Sequence, residues 1–469
     1  MAAVDRNAAA LGVPQRQLME SAGGAVARAV RAVADPGASV AVVGGRGNNG
    51  GDAFVAARFL DDYDVAAFLL GRPESIATDA ARANWDALVV AEYDAREVAD
   101  STAIDLGDPD VVVDGVLGTG VSGEPREPER TAIEAVNASG ATVVSVDVPS
   151  GVDADTGEAE LAVDADRVVT FHDVKPGIAD RDDVTVADIG IPDAAERFVG
   201  PGDLLSLSRP SESHKGDFGR TLVIGGGPYT GAPALSAQAA LRAGADLAFV
   251  AAPEAVAREV QGYSEDLIVE AYEGETLTPA RVDDLLGRAG EMDVVVLGPG
   301  LGEAAATMDA VAEFLEGYDG KAVVDADALA VVPEVETDAT LVCTPHQGEL
   351  REMGGPDAED WAERADLVEA FAADLGHVLL VKGAYDVVSD GRVTRVNRTG
   401  NPGMTVGGTG DVLAGVTAAL LAVQEPLEAA AMAAYANGRA GDLLVEERGY
   451  GLLASDLPGT IPTVLWGER

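Results

Sequence analysis

The chain has 469 residues, enough for two domains that each bury a core, and 32 Lys and Arg against 80 Asp and Glu give a formal net charge of −48. With apolar content at 47% this is the composition of a folded protein with an acidic, salt-adapted exterior rather than of a disordered acidic chain, and it speaks against nucleic acid and anionic membranes as partners. A single cysteine, Cys343, excludes a disulfide framework and a cysteine-cluster metal site. No stretch approaches the ~18 apolar residues of a membrane span, and the N-terminus lacks a basic region followed by a short apolar run, so a cytoplasmic location is expected. Only four of the basic residues are lysine (Lys175, Lys215, Lys321 and Lys382), which marks each as a place where a compact ammonium is wanted over a guanidinium.

Asp5 to about Val33 reads as helix, broken at Gly12-Val13-Pro14. SVAVVG at 39–44 is a buried strand running into GGRGNNGGD, and an amphipathic helix follows to about Leu60. Gly45, Gly47 and Gly50 match the dinucleotide-binding spacing, but the next strand ends in Gly71-Arg72-Pro73 where an acid would hold a ribose, so a nicotinamide cofactor in its regular pose is not expected. Two further buried strands end in polar turns: DVVVDGVLGTG at 110–120 and TVVSVDVPSG at 142–151. In an open parallel sheet such ends share one crevice, which brings Asn49, Asp52, Asp114, Asp147 and Ser150 within reach of each other. They are hard oxygen ligands suited to K⁺ or Mg²⁺, or else carboxylates that cap helices. FHDVKPG at 171–177 sets His172 and Lys175 at another strand end, with no role assigned to either.

GGRGNNGGD, DGVLGTG, DVPSG and HDVKPG together resemble the NAD(P)H-hydrate epimerase domain over most of residues 1–200. The resemblance implies that Asn48, Asn49, Gly50, Gly51 and Asp52, with Gly118, Thr119, Gly120, Val121, Ser122, Gly123 and Glu124, line a hydrated nicotinamide nucleotide. It sets Asp147 at the reacting ring and makes Asn49, Asp114 and Ser150 ligands of K⁺.

PGDLLSLSRPSES at 201–213 reads as a linker, and HKGDFGR follows, with Lys215 in it. A strand TLVIGGG opens a small-residue helix from PYTGAP onward, and strands follow at 247–253, 293–302, 321–329, 340–349 and 378–382, most ending in glycines or polar groups. A hairpin turns through Asp390-Gly391. Cys343 and His346 lie three apart; a buried inert thiol is far commoner than a nucleophile in such an apolar run, and His346 has the better claim to a ligand. His377, at the start of a strand, reads as structural. No Walker A sequence is present. Residues 401–411, NPGMTVGGTGD, lead into the apolar run VLAGVTAALLAV. Glycines there let backbone approach a ligand, and the first amides of the following helix suit a phosphate. Asp411 is then either a base beside those phosphates or an ordinary helix cap.

The terminal GGTGD resembles the ribokinase-like fold. The ordered set HKGDFG, YTGAP, GPGLG, DADAL, TPHQGE, VKGA and NPGM-GGTGD is similar to the ADP-dependent NAD(P)H-hydrate dehydratase across nearly all of residues 211–460. By that resemblance Lys382, Gly383, Ala384, Tyr385, Asp386 and Gly410 bind the adenine nucleotide, while Ala232, Gly300, Gly302, His346 and Asp411 face the hydrated nicotinamide nucleotide. Asp386 stands where the family commonly has threonine. The two halves imply an α/β chain: an N-terminal Rossmann-like three-layer domain, 1–205, and a C-terminal ribokinase-like three-layer domain, 206–469. The function implied is repair of hydrated NADH and NADPH, one half, with K⁺, epimerising the R and S forms and the other dehydrating the S form with ADP and Mg²⁺, in a homo-oligomer. The alternative is a ribokinase-type small-molecule kinase carrying a non-catalytic nucleotide-binding module.

Overall fold

The computed structural model describes residues 1–120 and 123–467, and the chain divides into two compact units, Ala8–Pro192 and Met1–Asn7 with Asp193–Arg469. The change-over therefore lies at Pro192 rather than at 205, and the segment read as a linker is part of the second unit. Leu204 and Leu207 are buried in that unit's core. The N-terminal residues belong to the same unit because the buried Asn7 side chain donates to Ala195 O and Asp203 Oδ2 and accepts from Gly202 N.

In the first unit, β1 (Ser39–Gly44), β2 (Asp64–Leu70), β3 (Asp94–Val98), β4 (Val111–Gly115), β5 (Thr142–Val146), β6 (Arg167–Phe171) and β7 (Val184–Ala187) form one sheet, ordered β3-β2-β1-β4-β5-β6-β7. Every pairing is parallel. Parallel strands need helical crossovers on both faces, which is why β1, β4 and β5 read as unbroken apolar runs. The strand order reverses between β1 and β4, opening a crevice at their carboxyl ends. The helix Asn48–Phe59 starts sooner than the glycine run suggests, so Asn49 to Asp52 already lie in its first turns. The glycines serve close packing: a Cβ at Gly45 would stand 2.0 Å from Val116 O, and one at Gly50 2.1 Å from Gly45 O.

In the second unit the order is β10-β9-β8-β11-β12-β13-β14-β15-β16. Its strands are β8 (Arg220–Ile224), β9 (Leu247–Pro253), β10 (Ile268–Tyr272), β11 (Val294–Leu297), β12 (Lys321–Val324), β13 (Thr340–Cys343), β14 (Val378–Val381), β15 (Asp386–Ser389) and β16 (Thr394–Asn397). Pairing is parallel as far as β14, and the expected hairpin adds β15 and β16 antiparallel. Successive residues of β11 serve opposite layers. Val294 and Val296 pack with the helices Gly231–Ala243, Thr409–Leu421 and Pro426–Arg448, whereas Val295 and Leu297 pack with Val282–Ala289, Ala305–Gly317 and Trp361–Leu375. The helix Thr409–Leu421 is buried from Val412 onward, and it lies so near Gly231–Ala243 that a Cβ on Gly415 would come 2.0 Å from Ser236 O.

Candidate functional site

Each unit gathers polar groups at the carboxyl ends of its strands. In the first, Asp114 at the end of β4 is completely buried and accepts from Ser145 Oγ (2.7 Å), Ser150 Oγ (2.5 Å) and Ser150 N (2.9 Å). Burial pushes its carboxyl up, against the hydrogen bonds from Ser150, Ser145 and Val116 N. Leu117 joins this group to the neighbouring helix. Its amide donates to Ser150 Oγ, and its carbonyl accepts from Asn49 Nδ2 at 2.8 Å. Asn49, Asp114 and Ser150 thus come together across the β1–β4 reversal, and Gly118 packs on Asn49, where a Cβ would stand 3.2 Å from it. Carboxylate, carbonyl and hydroxyl oxygens with a single buried negative charge suit a weakly polarising cation. Among the described residues no three His, Cys, Asp or Glu side chains gather as a metal-holding group, so any ion here depends on that mixed oxygen set.

Asp147, in the turn after β5, is held by partners other than those of Asp114. It takes φ of 65°, a left-handed conformation that aspartate tolerates better than most residues. Its Oδ1 is 2.6 Å from Lys175 Nζ and accepts from Thr170 Oγ1. Lys175 also donates to Thr170 Oγ1, Phe171 O and Asp173 O, so this lysine with no assigned role is the partner that holds the crevice aspartate. Asp52 is buried in the first turns of its helix, Asn48 accepts from Thr78 Oγ1 at 2.8 Å, and Thr119 and Gly120 are exposed. Glu124 pairs with Arg130, and Gly123 turns with φ of 83°. Val121 and Ser122 lie outside the described residues.

In the second unit the centre is Asp411, in the first turn of Thr409–Leu421. The cap position is Gly408, at φ 99°, with no side-chain bond to the helix amides, so the reading of Asp411 as an ordinary cap does not hold. Burial first, then the charges of Asp325 and Glu349, push its carboxyl up to about 7, against the pull of Lys382. Its main chain is fixed by Ser236, whose hydroxyl donates to Asp411 O at 2.8 Å. Lys382, at the end of β14, is clamped by Asp325 Oδ1 at 2.9 Å and Glu349 Oε2 at 3.5 Å. Burial works against its ammonium, but these two carboxylates more than offset that and raise its pKa. Asp325 is 2% exposed and also accepts from Thr344 Oγ1 at 2.8 Å.

His346 caps the helix Gln347–Glu352. Its Nδ1 accepts from Gly348 N and Glu349 N, which leaves Nε2 to carry the proton, and Glu349 Oε2 accepts from His346 N. A cavity of about 790 Å³ opens beside these groups. His346, Lys382, Gly383, Ala384, Asp386 and Gly410 line it, with the glycine turn at 407–408 and residues 399–402 and 404–406. Tyr385 is not among the lining residues; its ring stacks on Trp361, centroids 5.3 Å apart. Burial pushes Asp386 up to about 6, against bonds from Asn397 Nδ2 and Gly383 N at 2.9 Å each. Gly300 and Gly302 form the turn after β11, both with positive φ, and Gly302 N donates to Asp327 Oδ2. A Cβ at Gly300 would stand 2.4 Å from Tyr229 O, so this turn is pressed against the loop that leads to Ala232.

Sequence reasoning did not single out Asp325 and Glu349 as site residues; the available signal was an acid directly following, or one turn past, each of two adjacent buried strands. Cys343 is completely buried, and burial pushes its thiol up to about 12, which removes the nucleophile reading. Of the four lysines, Lys175 and Lys382 sit in these clusters, and Lys321 donates to Leu421 O at the far end of the Asp411 helix. Lys215 is exposed.

Comparison with known proteins covers both units. A family model described as NAD(P)H-hydrate dehydratase matches residues 221–463, and one described as YjeF-related protein N-terminus matches 15–177. The bifunctional NAD(P)H-hydrate repair enzyme of Pyrobaculum aerophilum is 46% identical over 99% of this chain and 97% of its own length. That of Methanothermobacter thermautotrophicus is 44% identical over 99% and 94%. Among solved structures, the ADP/ATP-dependent NAD(P)H-hydrate dehydratase of Bacillus subtilis, co-crystallised with ATP and Mg²⁺, is 28% identical. It covers 57% of this chain and 96% of its own, with a TM-score of 0.50.

Proposed function

The chain belongs to the bifunctional NAD(P)H-hydrate repair enzymes, with an epimerase domain and a dehydratase domain, and from that footing we propose which residues carry each reaction. In the dehydratase unit the 790 Å³ cavity takes ADP, with its diphosphate against the turn at 407–410 and Lys382. The hydrated ring lies between Asp411, His346 and the turn of Gly300 and Gly302, with Ala232 behind it. Asp411 accepts the proton of the ring hydroxyl as that oxygen attacks the β-phosphorus; the bond to the bridging oxygen breaks and AMP leaves. The nitrogen lone pair then expels inorganic phosphate, the adjacent ring carbon loses a proton, and the dihydropyridine is restored. A hydroxyl is a poor leaving group at neutral pH and a phosphate is a good one, which is why a nucleotide is consumed.

Mg²⁺ supplies charge neutralisation on the phosphoryl oxygens. Asp325 and Glu349 are committed to Lys382, so the ion fits best as one carried on the nucleotide's own phosphates. In the epimerase unit Asp147 faces the reacting ring, with Lys175 as its positioning partner. Asn49, Asp114 and Ser150 hold K⁺, which adds a fixed positive charge beside the crevice.

The observation that carries the dehydratase reading is Asp411: a carboxyl raised to about 7, so that it exchanges a proton at working pH, beside a lysine clamp and a nucleotide-sized cavity. The test mixes the protein with both epimers of the hydrate, ADP, Mg²⁺ and K⁺ in high salt. Full return of reduced-nicotinamide absorbance with release of free phosphate is expected; a stable phosphorylated product would instead mark a kinase. Asp411→Asn is expected to abolish the return while ADP still binds, and parental turnover in that variant would remove Asp411 from the mechanism.

A further inference from the structure

β6 carries one hydroxyl, Thr170, in an otherwise apolar buried run, and that residue is completely buried. A hydroxyl inside a sheet is costly unless its hydrogen bonds are made, and valine has nearly the same shape without that cost. Two other completely buried threonines meet the requirement on backbone: Thr307 donates to Leu277 O at 3.1 Å and Thr417 to Leu413 O at 2.8 Å. Thr170 bonds instead to two charged side chains. Lys175 Nζ donates to its Oγ1 at 3.0 Å, and an ammonium can only donate. The hydroxyl therefore turns its own proton to Asp147 Oδ1, also 3.0 Å away.

The consequence falls on Asp147. Its Oδ1 meets the Lys175 ammonium at 2.6 Å, the Thr170 hydroxyl and, at 3.4 Å, Phe171 N, while its own amide donates to Val169 O. Every side-chain contact is on the one oxygen, which leaves Oδ2 to meet a substrate. The terminal torsion of an aspartate is soft, so without a directed bond the two oxygens exchange places easily. Lys175 alone does not supply that direction: an ammonium on a flexible stem attracts either oxygen, whereas a hydroxyl on the stiff β-branched residue of a strand points one way. The second unit repeats the arrangement. Asp325 follows β12, Thr344 follows β13 and donates to Asp325 Oδ1 at 2.8 Å, and Lys382 Nζ lies 2.9 Å from that same oxygen.

We propose that Thr170 is a positioning residue of the epimerase unit, fixing which oxygen of Asp147 meets the hydrated ring. This rests on Asp147 standing at that ring and adds to it the group that orients the carboxylate.

The experiment starts from the R hydrate and follows its conversion to the S form by chromatography, with the spontaneous rate subtracted. ADP is left out so that dehydration is silent. The full-length protein is compared with Thr170→Val, which keeps the shape and removes the hydroxyl, and Thr170→Ser, which keeps the hydroxyl and removes a buried methyl. In the valine variant kcat is expected to fall about tenfold or more while KM stays within about twofold. The serine variant should keep at least about half of the parental kcat, whereas a residue that only packs β6 gives the reverse order, because serine leaves the larger void. Thr170→Ala, which also lacks the hydroxyl, takes the place of the valine variant if that one does not fold, with the same loss expected. Parental kcat without the hydroxyl, a serine variant as slow as the valine one, or a loss confined to KM overturns the proposal. The placing of Asp147 at the ring fails separately, if Asp147→Asn epimerises the hydrate at the parental rate.

Discussion

Asp325→Asn isolates the electrostatic tuning of the proposed base. The substitution keeps the shape of a side chain that is 2% exposed and removes one negative charge, while Lys382 keeps its positive charge and Glu349 as a partner. Lys382 Nζ lies 2.9 Å from Asp325 Oδ1 and 3.3 Å from where a Cβ on Gly410 would stand. Asp411 follows Gly410, so the Asp325 charge acts on it across Lys382, a repulsion on the order of one pKa unit, or ~1.4 kcal/mol. Asp411, raised to about 7 by burial first and then by Asp325 and Glu349, should fall by that amount. A base works ionised, so activity is lost as pH drops through its pKa, and lowering that pKa moves the acidic limb to lower pH. The assay is kcat/KM for the hydrate against pH at fixed high salt, read as the return of reduced-nicotinamide absorbance. Salt at fixed strength keeps surface charges screened while the buried pair is affected much less. An acidic limb displaced downward by about one pH unit is expected. A limb that stays in place, or moves upward, refutes the assignment of Asp411 as a base set by its neighbouring charges.

Lys175→Met strands Asp147 without its cation, a change that typically costs 3–5 kcal/mol when a buried pair is broken, so the first unit should melt at lower temperature. Interconversion of the epimers should fall while dehydration continues, and recovery from a mixed-epimer sample should stop at a plateau; full recovery at the parental rate would dismiss the pair from the epimerase site. Asp411→Asn carries a second, independent expectation for stability. A carboxyl with a folded pKa of about 7 and an unfolded value near 3.9 costs the fold increasingly as pH rises between those values and by a constant amount above them. The asparagine variant should therefore match the parent in Tm below about pH 4 and exceed it by about 2–8 °C above pH 7, an advantage of ~1–3 kcal/mol. Equal melting temperatures at pH 8 would contradict the raised pKa.

Central strands were legible because burial on both faces forces unbroken apolar runs: SVAVVG at β1 and TVVSV at β5 are found where they were read. Edge strands were not. β3 is DAREV, β7 is VTVA and β10 is IVEAY, each with one side free of the sheet and polar residues in place of the apolar run. The Asp114 group was legible in kind, since its members end neighbouring strands, whereas the Lys175 clamp on Asp147 depends on a left-handed turn that no spacing discloses. Asp411 was legible from glycine backbone followed by an apolar helix. Its tuning was not, because Asp325 and Lys382 follow β12 and β14 while Glu349 lies in the short helix after β13, and they meet only when those strands align. Tyr385 shows the opposite failure: contiguity with Lys382 and Asp386 implied a shared role, but its ring turns to Trp361.

The placing of the lysines has a practical side. Three of the four lysine amines are paired and at least half-buried, with Asp147, with Asp325 and Glu349, and with a helix-end carbonyl, while Lys215 is the exposed one. Amine-directed dyes, cross-linkers and resins should therefore couple at Lys215 in preference to the other three lysines, offering a defined handle for tethering the enzyme to a surface.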